Sequence, residues 1–453
     1  MKKNLTLRES ISIASMLFGM FFGAGNLIFP AIMGQLAGWN VWIAFIGMFI
    51  TGVGLPLLGV AALGISRSDG LQALSSQVGK KYSYFFTCLL YLTIGPFFAI
   101  PRCATVPFTI GVTPLMGGQS SPLALAIFTT VFFALVLIFS LYPGRIMTWI
   151  GRILNPIFLV LLGILVIRAL ISPMGSVSDI VPQGEYATQP FIAGFLEGYN
   201  TMDALASLAF GIVVVNVIRQ HGVKEPGDVA RNTVISGISS CLCMGVIYLA
   251  ITVVGTQSRA VYETCSNGGE VLALVAQHYF GTAGALVLAG IVTFACLKTA
   301  IGLITSCAET FSQMFKKGPS YRLWAIILCV AALLIANLGL DAIITYSIPV
   351  LMFLYPLAIT LVLLSLCGKL FDHHRAVYGW VTGFTLVAAV LDFIKALPAG
   401  LVSLLNLNGI IDFANQYLPL YSLGLGWVCP AAIGLVIGLI IWQVQKQKAK
   451  SVA

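Results

Sequence analysis

The sequence predicts an all-α polytopic membrane protein with twelve transmembrane helices. Two observations carry that expectation, and a third points to what the helices are for. The 453-residue chain is 59% hydrophobic and only 9% charged, with a mean hydropathy of +0.99. A soluble chain of this length could not solvate itself with so few charges. Hydropathy also divides the chain into twelve apolar runs, each suited to a hydrocarbon core about 30 Å thick. Finally, some of these runs carry glycine and polar residues in their middles. Hydrocarbon tolerates that only where the freed backbone groups face protein or a wet cavity.

The first span, 10–37, is interrupted at Phe21-Phe22-Gly23-Ala24-Gly25-Asn26. Gly19 and Gly23 are four apart and would suit a helix-packing face. The adjoining Asn26 and Pro30 favour an interrupted helix instead. Spans 2 to 5 follow at 40–65, 82–111, 122–141 and 150–171, with Arg102 in the middle of span 3. Span 6, 190–218, is interrupted again, at Gly194-Phe195-Leu196-Glu197-Gly198-Tyr199-Asn200-Thr201-Met202-Asp203. Spans 7 to 12 are placed at 230–256, 283–314, 322–337, 341–366, 377–397 and 424–444, with Lys298 in the middle of span 8. Between 397 and 424, Asn406, Asn408, Asp412 and Asn415 interrupt the apolar pattern and suggest an external loop with a short surface helix. Short charged loops, Arg67-Ser68-Asp69-Gly70 and Lys316-Lys317-Gly318-Pro319, mark the sharpest boundaries. No cleavable signal peptide is expected, because the first apolar run is too long for one and lacks a small-residue cleavage site.

Charge fixes the expected orientation. With an even number of spans, 19 of the 24 Lys and Arg fall on the side of the termini, and the other five are Arg102, Arg168, Arg259, Lys298 and Lys395. This is the positive-inside asymmetry, so both termini are expected in the cytoplasm. The net charge of +9 therefore needs no nucleic-acid partner. Most of the ten cysteines lie in apolar runs and read as small hydrophobes. His221, His278, His373 and His374 are expected in loops, which leaves no histidine relay and no transition-metal site. No phosphate-binding Gly-x-x-x-x-Gly-Lys-Ser/Thr motif is present, which argues against nucleotide coupling.

The two interruptions lie five spans apart, an odd number of crossings. Span 6 would then enter the membrane from the opposite side to span 1, the arrangement of inverted repeats in transporters. The expected organisation is one transmembrane domain over 1–453, with a first repeat at 8–172, an inverted second repeat at 189–366 and two appended helices at 376–446.

Several segments together resemble the branched-chain amino acid:cation symporter family, the BrnQ-type carriers of the amino acid–polyamine–organocation superfamily. They are Phe22-Gly23-Ala24-Gly25-Asn26-Leu27-Ile28-Phe29-Pro30, Gly95-Pro96-Phe97-Phe98-Ala99-Ile100-Pro101-Arg102, Ser140-Leu141-Tyr142-Pro143-Gly144, Gly198-Tyr199-Asn200-Thr201-Met202-Asp203, Phe210-Gly211-Ile212-Val213-Val214-Val215-Asn216 and Ala336-Asn337-Leu338-Gly339-Leu340. The resemblance runs from about residue 8 to 445. It implies a leucine-transporter-like 5+5 inverted repeat plus two helices. It also implies uptake of leucine, isoleucine and valine across a prokaryotic plasma membrane, driven by a cation gradient, usually Na+. The alternative is an H+-coupled carrier of the same or other small neutral amino acids. No cofactor beyond the coupling ion is expected, and no obligate protein partner is evident in the sequence.

A zwitterionic substrate needs donors for its carboxylate and acceptors for its ammonium. The amides of Gly23, Ala24 and Gly25, at the positive end of a half-helix, suit the carboxylate. The carbonyls around Tyr199, Asn200 and Thr201 suit the ammonium. The resemblance implies one Na+ held by Asn26 and the Phe21 carbonyl, and a second by the carbonyls of Gly19 and Phe22 with Ala295 and Thr299. Charged residues inside spans are functional candidates by default: Arg102, Asp203, Lys298 and Glu197. Lys298 has two readings. It either replaces the second ion, or it is structural, paired with Asp203 or turned away from the site. Glu309 is expected near a solvated edge, and Asp392 and Lys395, one turn apart, are expected to pair or to reach the interface. A channel would be expected to show a pore-loop filter or rings of like charge, and an enzyme clustered catalytic groups. The sequence displays neither.

Overall fold

The computed structural model describes residues 3–66, 68, 70–116, 121–141, 155–223 and 225–452. Arg67, Asp69, Tyr142-Pro143-Gly144 and the expected start of span 5 lie outside them. Every long element is helical, as the apolar periodicity requires. Numbering the longer helices in chain order, span 1 is α1 (Leu7–Phe21) and α2 (Gly25–Ala37). Span 2 is α3 (Val41–Phe49) and α4 (Leu55–Ile65), joined by a π-helical turn at Ile50–Gly54. Span 3 is α5 (Lys80–Leu92) and α6 (Ala99–Pro107), broken at Gly95-Pro96. Then come α7 (Pro122–Leu141) and α8 (Asn155–Ile171). Span 6 is α9 (Pro190–Glu197) and α10 (Asp203–Gln220). The chain continues as α11 (Pro226–Ser258), α12 (Gly268–Met314), α13 (Tyr321–Ala336), α14 (Leu340–Cys367), α15 (Arg375–Ala396), α16 (Asn408–Tyr417) and α17 (Val428–Val452).

Among the described residues, eight helices are long and apolar enough to cross a membrane, or nine if one bent pair counts as one span. That is fewer than the twelve expected from hydropathy. α2 runs on with α3 and α4 as one apolar stretch, Gly25–Ile65, α1 is only 15 residues long, and the helix of span 9 has 16 residues.

Packing around the two breaks is reciprocal. α1 and α2 lie on α11, while α9 lies on α3 and α10 on α4. Glycines set these contacts. A Cβ on Gly34 would sit 2.0 Å from the Thr252 carbonyl oxygen, and one on Gly255 would sit 2.2 Å from that of Ala31. On the other pair, a Cβ on Gly194 would sit 1.9 Å from the Ala44 carbonyl oxygen and one on Gly47 2.1 Å from that of Phe191. Small residues let membrane helices touch backbone to backbone, which replaces the hydrophobic drive that lipid cannot supply.

Three expectations change. His278 lies within α12, whose first part ends at a non-helical Gly281 (φ 64°) before the main span begins. Asp392 and Lys395 do not pair. Lys395 Nζ donates to the Tyr421 and Ser422 carbonyls, both at 2.8 Å. The buried Asp392 carboxylate accepts no hydrogen bond among the described residues. The carbonyls that end the following turn out-compete the carboxylate for the ammonium. Of the readings of Lys298, pairing with Asp203 is the one that falls, since Asp203 is held by Asn26 and Tyr248 instead. Glu309 is exposed, and the loop after α15 carries the exposed α16, both as expected.

Candidate functional site

The site is built on the break in span 1. α1 ends at Phe21 and the backbone of Phe22 turns extended (φ −71°, ψ 102°), with its N–H still donating to the Phe18 carbonyl at 2.8 Å. The Asn26 side chain then reaches back, and its Oδ1 accepts the Gly23 N–H at 2.8 Å. α2 starts at Gly25. The first amides of a helix have no intrahelical acceptor, so Ala24 and Gly25 present donors at the positive end of α2. The Gly23 amide, expected as a third donor, is occupied by Asn26.

Span 6 supplies the opposite wall. α9 gives way to a single tight turn, Gly198–Thr201, and Met202 takes a left-handed conformation (φ 62°) before α10 begins. A non-glycine residue there is strained, and it re-aims the chain so that Asp203 opens α10. The two breaks meet closely: a Cβ on Gly25 would lie 3.2 Å from the Thr201 carbonyl oxygen.

Asp203 is 2% exposed. Its Oδ2 accepts from Asn26 Nδ2 at 2.5 Å and from the Tyr248 hydroxyl of α11 at 2.7 Å. Asn26 Nδ2 also donates to the Tyr248 oxygen. One carboxylate thereby ties spans 1, 6 and 7 together. Both ends of the Asn26 amide are engaged in this arrangement, and Oδ1, with one lone pair taken by the Gly23 N–H, keeps a second for its expected service to an ion.

Arg102 of α6 is also 2% exposed. Its Nη1 donates to the Asn200 carbonyl at 2.8 Å and its Nη2 to Ser347 Oγ of α14. Its guanidinium lies 5.0 Å from the Phe29 ring centroid, a cation–π contact. Asn200, expected to offer its carbonyl to an ammonium, gives it to Arg102 here. Its side chain donates to Glu197 at 3.3 Å.

Span 8 closes the third side. The nearest neighbour of a Cβ on Gly23 would be Thr299 Cγ2 at 3.2 Å. Thr299 Oγ1 donates to the Ala295 carbonyl at 3.2 Å. Phe21, Gly23, Ala24, Gly25, Asn26, Arg102, Thr201, Asp203 and Thr299 line one cavity of about 40 Å³. Glu197, Tyr199 and Asn200 line its neighbour, of about 300 Å³, with Leu36, Leu351 and Met352. Gly19, Phe22 and Ala295 are buried behind the first cavity. Lys298 is half-buried beside Thr299 and lines neither cavity.

Sequence reasoning missed Tyr248, Ser347 and the strained Met202. A lone tyrosine in an apolar span was the available signal for the first. Ser347 and Met202 gave none.

The chain matches the family model described as branched-chain amino acid transport protein over residues 6–445. It is 52% identical over 450 residues to a branched-chain amino acid permease of Lactobacillus delbrueckii subsp. lactis, covering 99% of this chain and 100% of that one. A branched-chain amino acid permease of Bacillus subtilis is 41% identical, covering 97% and 98%. The branched-chain amino acid transport system 2 carrier protein of Pseudomonas aeruginosa is 38% identical, covering 98% of each. Among solved structures, the nucleobase-cation-symport-1 family transporter Mhp1 aligns with a TM-score of 0.60 at 15% identity, covering 96% of this chain and 93% of that one. MhsT in complex with L-phenylalanine aligns at 0.54 and 16%, covering 98% and 99%. Those two likenesses are of fold.

Proposed function

The chain belongs to the branched-chain amino acid transport protein family, and from that premise we propose that it is a Na+-coupled symporter importing leucine, isoleucine and valine by alternating access. The observation that carries the reading is the meeting of two helix breaks, Gly25 against Thr201, inside one cavity lined by buried charge. Discontinuous helices facing each other near mid-membrane are the site architecture of secondary transporters. The reciprocal packing of span 1 on span 7 and of span 6 on span 2 supports an inverted repeat at 8–172 and 189–366, with 376–446 appended and twelve spans in all. The protein would reside in a prokaryotic plasma membrane with both termini cytoplasmic.

In this reading the substrate carboxylate docks on the amides of Ala24 and Gly25, and the branched side chain enters the apolar lining beside Ile94 and Phe210. Na+ lies against Asn26 and the Phe21 carbonyl, and a second ion by Ala295 and Thr299. The cavity volume supports a moving part. About 150 Å³ holds benzene, with six heavy atoms. Leucine has more, so about 40 Å³ must enlarge before substrate enters.

Proteoliposome uptake tests the proposal. An imposed Na+ gradient should drive leucine accumulation, and unlabelled leucine inside should accelerate entry, as a carrier requires and a channel or enzyme does not. Proton coupling is the second reading, favoured by Lys298 beside Thr299 at the second ion position. A proton gradient driving uptake without Na+, with that dependence altered in Lys298→Ala, would establish it in place of sodium.

A further inference from the structure

Two buried charges of opposite sign border the cavity at the breaks. Arg102 and Asp203 are each 2% exposed, and both line that cavity. Among the described residues neither makes a salt bridge; Glu197, at the end of α9, acts on Arg102 only from a distance. Arg102 rests on a carbonyl, a hydroxyl and an aromatic face. Its Nε is buried without a hydrogen-bond partner. Asp203 is held by an amide and a phenol. A buried charge is tolerated when it is paired, and removing its partner leaves an uncompensated ion in a low dielectric. Here a cation and an anion, neither in a direct salt bridge, sit on the same small cavity, on different elements, α6 and α10.

We propose that Arg102 and Asp203 are the fixed charges that read the two ends of a zwitterionic amino acid, Arg102 the carboxylate and Asp203 the ammonium. The site rests on the transport reading above and adds to it the residues that demand both charges. The amides of Ala24 and Gly25 border the same cavity as Arg102, so the carboxylate lies between backbone donors and guanidinium. A guanidinium presents five fixed donors, of which the Asn200 carbonyl and Ser347 Oγ take two, so donors remain for a carboxylate oxygen as the cavity enlarges. On the other side, Arg102 already takes the Asn200 carbonyl, which removes one backbone acceptor from the ammonium. The Asp203 carboxylate, where α10 begins beside Thr201, takes its place. A zwitterion supplies a direct ionic contact to both at once and adds no net charge to the interior. A molecule with one charge would leave the other buried ion without such a contact, so selection for α-amino acids is set by exclusion as well as by attraction.

Inhibition of leucine uptake in proteoliposomes by two truncated analogues tests this. One is 3-methylbutylamine, which lacks the carboxylate, and the other is 4-methylpentanoate, which lacks the ammonium. For the unmodified protein each should inhibit at least about tenfold more weakly than leucine, the loss expected for one charged hydrogen-bonded contact. Arg102→Gln should weaken leucine about tenfold or more and leave the amine within about twofold. Asp203→Asn should weaken leucine and leave the acid within the same margin. Inhibition of the unmodified protein by either analogue as strong as by leucine overturns the proposal, and needs no variant to fold. So does a folded Arg102→Gln or Asp203→Asn that weakens leucine and both analogues by one common factor, because that is a structural effect. Absence of any branched-chain uptake by the unmodified protein would instead defeat the transport reading and is scored separately, before the analogues are added.

Discussion

At the residue scale the site depends on groups that hydrogen-bond sideways between helices. Asn26 uses its oxygen to hold the Gly23 amide and its nitrogen to hold Asp203, so it braces the break in span 1 and joins it to span 6. Tyr248→Phe would remove one of the two donors on Asp203 Oδ2. Leaving a buried acceptor short of a donor costs about 1–3 kcal/mol, so the variant should unfold at lower temperature than the parent and bind leucine more weakly. An unchanged melting temperature in detergent would show that Tyr248 is not bearing on the carboxylate. Gly25→Val places branched carbon where 3.2 Å separates a Cβ from the Thr201 carbonyl. Leucine binding should fall at least tenfold in a protein that still inserts, by analogy with the magnitude of a one-contact loss. Normal leucine affinity would reduce the break to a packing face. These residues were unequally legible. Asn26 and the glycines stand out because polar, flexible residues are expensive in hydrocarbon. Tyr248 and Ser347 do not, because each acts on a residue far away in sequence, 45 positions for Asp203 and 245 for Arg102, and a tyrosine or serine in an apolar helix has many innocent uses.

At the scale of elements, hydropathy located the apolar runs and misjudged where they fold back. The polar start of α12 read as loop, since Gln277 and His278 dilute the pattern, yet it is helical up to Gly281. The left-handed Gly281 is what separates it from the span. Asp392 and Lys395 show the limit of spacing rules: one helical turn makes a pair feasible, but two carbonyls after the turn hold the lysine. The helix contacts give a sharper test. Gly34→Leu and Gly194→Leu would each drive a side chain into backbone, at 2.0 and 1.9 Å. Neither neighbour can rotate away, so both variants should fail to yield folded protein. Gly79→Ala meets nothing within 4 Å and should express and transport as the parent does. Equal yields for all three, measured by size exclusion in detergent, would mean that these crossings are loose.

For the whole molecule, the asymmetry of 19 basic residues against five predicts both termini in the cytoplasm, and reporter fusions at either end should report that side; a reporter active on the opposite side would refute it. Uptake should favour leucine, isoleucine and valine over lysine and glutamate, because the cavity offers one charge of each sign and no surplus to neutralise a charged side chain. Lysine or glutamate taken up as well as leucine would refute that. The glycine crossings carry one more consequence. Where backbone rests on backbone there is no side chain to act as a cushion, so α2 with α11 and α9 with α3 behave as welded bars. The helical ladder is interrupted in the short stretches beside these bars, 22–24 and 198–202, which side chains rather than backbone crossings hold in place. On the transport reading proposed above, the pivots and the grip on the cargo are then the same few residues. A change that stiffens a pivot should also reshape the grip, so substitutions at 22–24 or 198–202 are expected to move turnover and selectivity together.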